Sequence, residues 1–364
     1  MDKMSAALVA MSGGVDSSVA ALLAKQQGVD CIGCMMKLFA DLDTDEDRGN
    51  IGGSPASIDV AIWVADKLGI PFHIYDASEI FDKRVIQRFV HSYQIGETPN
   101  PCIECNRYVK FGSLLDRAKE LGKELIITGH YARIEADAST GRHLLKKGID
   151  AAKDQSYVLY SLTQEQLKST RFPLGELTKA QVREIALEHG FPNANRKESQ
   201  DICFVKNTGY ADFIRGYCGL DIPKGPFVDT DGNELGEHMG ITHYTIGQRK
   251  GLGLSAATPL YVCALCPDSN TVVVGTADKL YASTLIARGI NLIAVDKLSD
   301  ATNVSAKTRY KQQEQAATVW QLDSDALRIE FLKPQRAITK GQAVVLYDGD
   351  CVIGGGTISE VAAG

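Results

Sequence analysis

Near its N-terminus the chain runs from Ala7-Leu8-Val9-Ala10-Met11 straight into Ser12-Gly13-Gly14-Val15-Asp16-Ser17-Ser18. Residues 6–10 are apolar and suit a buried parallel strand. From Ser17 on, Val19, Ala20, Leu22 and Leu23 predict one face of a helix. Gly13 and Gly14 let the backbone turn sharply and approach a ligand closely. The first helical N–H groups lack partners and carry the positive end of the helix dipole. A phosphate or pyrophosphate fits such a place. Ser12, Ser17 and Ser18 can add hydroxyl donors, and Asp16 can hold Mg2+ or orient a donor. No Gly-Lys-Ser/Thr follows, so this is not the loop of kinases and P-loop ATPases. The plain alternative is a tight strand–helix turn with a Ser/Asp cap.

The string SGGVDS resembles the loop of enzymes that split ATP into AMP and pyrophosphate, among them GMP synthetase, argininosuccinate synthetase and several tRNA thiolases. The resemblance implies adenylation of a carbonyl oxygen, followed by displacement of AMP by a nucleophile. The loop alone does not name the nucleophile.

The 364 residues are enough for two or three domains. No stretch approaches the length of a transmembrane helix. The start MDKMSAALVAMSGG lacks a signal-peptide pattern, which predicts a cytoplasmic location. In that compartment nine cysteines point to metal or redox chemistry rather than a disulfide framework. The net charge of −6 argues against a generally basic nucleic-acid coat but leaves room for a local basic track. Candidates are Lys146, Lys147 and Lys153, then Arg249 and Lys250, and then Lys307, Arg309 and Lys311.

Over the first 200 residues strand-like and helix-like segments alternate. Strands are expected at 31–38, 71–75 and 125–128, and helices over 58–68, 81–93 and parts of 163–189. This rhythm predicts an α/β fold with a doubly wound parallel sheet, whose ligands bind at the carboxyl ends of the strands. Ser12, Met36 and Gly129 stand at such ends. The acidic, Gly-rich stretch 41–54 is expected to be a mobile loop over the pocket. Beyond about residue 206, Gly, Pro and short β runs dominate. The expected division is an adenylating domain over 1–206, a small central domain over 207–275 and a C-terminal β-barrel over 280–364.

Three cysteine pairs have CxxC spacing: Cys31/Cys34, Cys102/Cys105 and Cys263/Cys266. The first and last fall in predicted strands, where side chains three apart point to opposite faces, so they read as buried small hydrophobes. Cys218 and Cys351 get the same reading. Cys102/Cys105 differs, because Pro99, Asn100 and Pro101 enforce a non-helical approach and a helix is expected to begin near Cys105. A thiol at a helix N-terminus has a lowered pKa. Cys203 stands in Ser199-Gln200-Asp201-Ile202-Cys203-Phe204.

Five segments, MSGGVDSS, TPNPCIECN with KFG, TGHYAR, KDQSYVLY, and SQDICF followed by YTIGQRKGLG, occur in one order across residues 11–253. Together with Lys307-Thr308-Arg309-Tyr310 the set resembles the tRNA-specific 2-thiouridylases, bacterial tRNA-uridine 2-sulfurtransferases. The resemblance implies an adenylating α/β domain, a small central domain and a C-terminal β-barrel. It implies conversion of the wobble uridine of tRNAs for Lys, Glu and Gln to 2-thiouridine. ATP, with transient Mg2+, activates the C2 oxygen, and a persulfide cysteine supplies sulfur received from a relay protein or cysteine desulfurase. By position, Cys105 matches the catalytic thiol and Cys203 the persulfide carrier. Ala10, Met11, Ser12, Gly13, Gly14, Val15, Asp16 and Ser17 match the ATP loop, and Met36 and Gly129 match adenosine contacts. Asn100, Pro101, Cys102, His130, Lys153, Asp154, Gln155, Arg309, Tyr310 and Gln342 match contacts to the tRNA anticodon stem-loop. Many relatives carry Asp where Cys102 stands, so three thiols rather than two share this neighbourhood.

Either a persulfide on Cys203 attacks the activated C2 and Cys105 then breaks the S–S bond, or Cys105 first releases sulfide. Both remain open in the sequence. Three other readings compete: an iron–sulfur thiolase held by Cys102, Cys105 and Cys203, an amidotransferase-type ATP pyrophosphatase using ammonia, and a tRNA-binding module without catalysis.

Overall fold

The computed structural model describes residues 5–39, 55–196, 202–205, 209–219 and 222–362. The loop expected over 41–54, and Ser199, Gln200 and Asp201, lie outside them. The chain forms two compact units, one of residues 1–86, 101–204 and 349–353, the other of 87–100, 205–348 and 354–364.

The first unit is built on a parallel sheet. Its strands are β1 (Ala6–Ala10), β2 (Asp30–Lys37), β3 (Phe72–Asp76), β4 (Leu125–Ile127) and, after a hairpin of β5 (Ala132–Ala136) and β6 (His143–Lys147), β7 (Thr170–Arg171). The order is β3-β2-β1-β4-β7, and its four pairings are all parallel. Leu8 and Val9 are fully buried at its centre, as their unbroken apolar run requires. Helix α1 (Val15–Gln26) and helix α2 (Pro55–Leu68) follow, and Val19, Ala20, Ala61, Val64 and Ala65 pack with β1 into one core. The helix begins at Val15, two residues earlier than its apolar face predicts. The hairpin and the two-residue β7 were not expected. In this unit Cys351 pairs with Lys146 of the hairpin.

The second unit holds two β structures. Strands β8 (Gly225–Val228), β9 (Glu234–His238), β10 (Tyr261–Cys266) and β11 (Thr271–Gly275) form a small sheet around Phe227, Tyr244, Val262, Val272 and Val274. Strands β12 (Tyr281–Leu292), β13 (Thr302–Lys307), β14 (Gln315–Gln321), β15 (Ala326–Arg336), β16 (Ala343–Asp348) and β17 (Cys351–Ala362) close into a six-stranded barrel, because β12 pairs with both β15 and β17. Strict alternation fills its interior: Leu327, Ile329 and Phe331 are buried, while Arg328 and Glu330 face out. No helix among the described residues is long and apolar enough to cross a membrane.

Candidate active site

The β1–α1 turn is held from several sides. Gly13 has φ +75°, and a Cβ there would run into the Ser57 carbonyl, so only glycine fits. The Ser17 hydroxyl donates to the Gly14 carbonyl at 2.9 Å and accepts the Ser12 N–H at 3.2 Å. The amide nitrogen of Asn193 donates to the Gly13 carbonyl and to Ser18 Oγ, both at 2.9 Å. The end of β4 crosses the loop so closely that a Cβ on Gly129 would lie 2.7 Å from the Asp16 carbonyl carbon. Asp16 does not point into empty solvent. Its two oxygens accept from Lys179 Nζ at 2.7 and 2.8 Å, and Oδ1 also accepts from the Tyr131 hydroxyl at 2.7 Å. The carboxylate thereby holds two donors in place, the Lys179 ammonium and the Tyr131 hydroxyl.

One cavity of about 360 Å3 opens beside this loop. Ala10, Met11, Ser12, Asp16, Ser17, Met36 and Gly129 line it on the loop side. Pro101, Cys102, Cys105, Lys110, His130, Gln155 and Cys203 line it elsewhere. The loop residues and the three thiols expected to act together therefore meet in a single pocket. Gly13, Gly14 and Val15 do not line it.

The helix bearing the first two thiols starts at Pro101, whose fixed φ suits a first helical position. It runs over Pro101–Glu104, widens into a π-helical stretch over Cys105–Ser113, and continues to Glu120. Asn106, buried next to Cys105, anchors it by donating to the Val158 carbonyl at 2.9 Å. Cys203 is set by its neighbour: Phe204 stacks edge-on at 5.8 Å against the fully buried Phe81.

The expectation of a lowered thiol pKa at Cys105 is corrected. The helix begins four residues earlier, so Cys105 lies a turn inside it and is buried. Burial pushes its pKa up to about 11, against the pull of Lys110. Burial, with the neighbouring Cys105 and Cys102, pushes Cys203 to about 12, again opposed by Lys110. Cys102 is exposed to the pocket, yet desolvation by the surrounding protein still raises it. Lys110 Nζ stands 3.5 Å from His130 Nε2, and Thr128 Oγ1 is 2.7 Å from His130 Nδ1. Burial first, then Lys110, holds the His130 pKa well below its ordinary value. A neutral imidazole accepting at Nε2 from Lys110 and donating from Nδ1 to Thr128 satisfies this arrangement.

Not every expected tRNA contact is in this pocket. Asp154 braces its own turn, accepting from the N–H of Gly148 and Ser156 and from the Ser156 hydroxyl. Lys153 donates its N–H to the Asp150 carbonyl and does not line the cavity. Gln155 ties the Tyr131 backbone at both ends, at 2.9 Å each. Asn100, Arg309, Tyr310 and Gln342 belong to the second unit. There Gln342 donates to the Thr98 carbonyl at 2.8 Å, and Arg309 donates to Ile246 O, Ala337 O and Thr339 Oγ1. The remaining cysteines divide: Cys31 and Cys34 are buried as expected, whereas Cys218, Cys263, Cys266 and Cys351 are only half-buried. Lys179, Tyr131, Asn193 and Lys110 had no assigned role in the sequence reading. Tyr131 and Lys110 lie inside the TGHYAR and KFG segments, but Lys179 and Asn193 carry no local signal.

Comparison with known proteins matches residues 5–207 to the family described as tRNA methyl transferase HUP domain. Residues 211–276 match the corresponding PRC-barrel domain and 282–358 an aminomethyltransferase β-barrel domain. The tRNA-specific 2-thiouridylase MnmA of Clostridioides difficile is 48% identical over 97% of this chain and 98% of its own. That of Moorella thermoacetica is 50% identical over 98% and 99%. The chain belongs to the tRNA-specific 2-thiouridylase family. A third member, from Lachnoclostridium phytofermentans, is 49% identical over 98% of this chain. The comparisons lend no support to the competing cluster reading, and among the described residues no three His, Cys, Asp or Glu are arranged to hold a metal ion.

Proposed function

We propose that this member of the 2-thiouridylase family is a tRNA-uridine 2-sulfurtransferase, which uses ATP to convert the wobble uridine of tRNAs for Lys, Glu and Gln to 2-thiouridine. The observation that carries this reading is that Ser12, Asp16 and Ser17 share one cavity with Cys102, Cys105 and Cys203.

In this reading the phosphates of ATP, with the Mg2+ they bring, sit on the Ser12–Ser17 loop at the N-terminus of α1, where unpaired N–H groups favour an anion. Met36 and Gly129 receive the adenosine, beside Ala10 and Met11 of the loop. The uridine C2 oxygen attacks the α-phosphate and pyrophosphate leaves. The terminal sulfur of a Cys203 persulfide displaces AMP from C2. The Cys105 thiolate then attacks Cys203 Sγ, so the transferred sulfur stays on the base with its electron pair and a Cys105–Cys203 disulfide is left. The base must leave its stack to reach these thiols, which an anticodon loop makes easier. His130, Gln155, Pro101 and Cys102 face it from the pocket wall. Asn100, Lys153, Asp154, Arg309, Tyr310 and Gln342 serve the tRNA farther out, with the central region 207–275 and the barrel 280–364 as its platform. A persulfide-carrying relay protein or cysteine desulfurase charges Cys203 in the cytoplasm.

The test is mass spectrometry of unmodified tRNA incubated with the enzyme, Mg-ATP and a persulfide donor. A gain of one sulfur for one oxygen at the wobble uridine, with stoichiometric AMP and pyrophosphate, is expected. ATP cleavage without sulfur on the tRNA would overturn the proposal.

A further inference from the structure

Sulfur transfer as written above consumes two electrons of the enzyme and leaves Cys105 bonded to Cys203. Cys203 cannot accept a new persulfide until that bond is broken. The three thiols around the cavity differ in access. Cys105 is buried, Cys203 is half-buried and Cys102 is exposed. Cys102 and Cys105 stand three residues apart at the start of one helix, and both line the cavity that Cys203 also lines. Residues three apart on a helix are neighbours on one face.

We infer that Cys102 is the resolving thiol of the catalytic cycle, taking over the disulfide from Cys203 and presenting it to a dithiol reductant. This rests on the sulfur-transfer reading above. The Cys102 thiolate attacks Cys105 Sγ, the Cys105–Cys203 bond breaks, and Cys203 leaves as a thiolate that takes up a proton. A Cys102–Cys105 disulfide remains, and the electron count of the protein is unchanged. One thiolate of an external dithiol then attacks the exposed Cys102 Sγ and expels Cys105 as thiolate. The second thiol of the reductant attacks the mixed disulfide and releases Cys102, leaving the reductant oxidised. Exchange of this kind depends on access and on which sulfur is attacked. A disulfide kept between the buried Cys105 and the half-buried Cys203 offers a reductant less than one that ends at Cys102.

The test has two arms. In the first, the full chain alone is equilibrated in a dithiol/disulfide buffer, quenched with acid, alkylated and digested with trypsin. Cleavage after Arg88 and Arg107 puts Cys102 and Cys105 on one peptide, and cleavage after Lys197 and Lys206 puts Cys203 on another. The expected species is an internal disulfide within the first peptide; Cys102→Ser, and Cys102→Ala should the first variant fold poorly, should instead give the cross-link between the two peptides. Wild-type protein that forms only the cross-link to Cys203 would overturn the inference, and this result needs no tRNA or ATP. In the second arm, thiolation is followed with catalytic enzyme and excess dithiol. Wild type should turn over repeatedly, whereas Cys102→Ser should stop after about one thiouridine per enzyme and accumulate the Cys105–Cys203 cross-link. Sustained turnover by both Cys102 variants would also overturn it. Absence of thiolation in the wild type would instead count against the proposed function, with the first arm still deciding the role of Cys102.

Discussion

Lys179 Nζ grips both carboxylate oxygens of Asp16, at 2.7 and 2.8 Å, across 163 positions of sequence. Lys179 comes from the first turn of the helix Lys179–Glu188, which Thr178 caps with a full capping box. A cap thus fixes the helix, the helix aims the ammonium, and the ammonium fixes the loop carboxylate. Lys179→Met keeps the bulk and removes the charge. Pyrophosphate release should fall at least about tenfold, and stability by about 1.5–3 kcal/mol, the usual worth of hydrogen bonds to a charged group. Asp16→Ala should lose the same activity. Wild-type pyrophosphate release by Lys179→Met, measured with tRNA present, would show that the pair only holds the fold.

Gly129 tests the same loop from the opposite side. Its missing Cβ leaves room for the backbone of Asp16 and Ser17, which would stand 2.7–2.9 Å from that atom. Gly129→Ala must push one backbone off the other. A loss of roughly 1–3 kcal/mol is expected from the overpacking, and ATP-dependent activity should fall further than stability does. Thermal melts and AMP formation, measured on the same sample, separate the two effects.

The strand, the turn and the start of α1 are legible in sequence because they are local: an apolar run, two glycines and a capping-type serine stand in twelve consecutive residues. The barrel shows in the alternation of Leu327, Ile329 and Phe331. The partners of the loop are not legible, because Lys179 and Asn193 reach it only through the fold, 163 and 180 positions away. Strand β7, two residues long, has too little pattern to announce itself. The Cys105 pKa departs from the sequence expectation because Pro101 starts the helix four residues sooner, turning a helix-end thiol into a buried one.

Arg309 and Tyr310 are adjacent and are expected to separate when mutated. One Arg309 nitrogen, Nη2, donates at 2.8 Å to Ala337 O, 2.9 Å to Thr339 Oγ1 and 3.2 Å to Ile246 O. Tyr310 is exposed. Arg309→Ala should therefore cost about 1–3 kcal/mol of stability through lost hydrogen bonding, seen as a lower Tm, and weaken tRNA binding with it. Tyr310→Ala should weaken tRNA binding with a smaller change in Tm than Arg309→Ala gives. Filter binding over a salt series should show affinity falling steeply with salt despite the net charge of −6. Tyr310→Ala binding tRNA as the wild type does would remove this face from the interface.

The thiols predict a particular pH response. With pKa values near 11 for Cys105 and 12 for Cys203, both are almost wholly protonated at neutral pH. Alkylation of each should rise about tenfold per pH unit from 7 to 9, without the levelling that a thiol of 9.0 shows there. Stability follows the same sign. The folded pKa values lie above the unfolded one, so the folded state keeps its protons longer. This contribution is unchanged below about pH 9 and is lost as pH climbs toward 11 and 12. Lys110 is the charge that opposes burial at Cys102, Cys105 and Cys203 alike. Lys110→Ala should therefore slow alkylation of Cys105 and Cys203 further and lower thiolation at pH 7, with partial recovery at higher pH. It also takes a cation away from His130 Nε2, which raises the His130 pKa toward its ordinary value. Lys110→Arg keeps the charge and should restore most of the rate. Alkylation kinetics that are the same in Lys110→Ala and wild type from pH 7 to 9 would show that the ammonium does not act on the sulfurs.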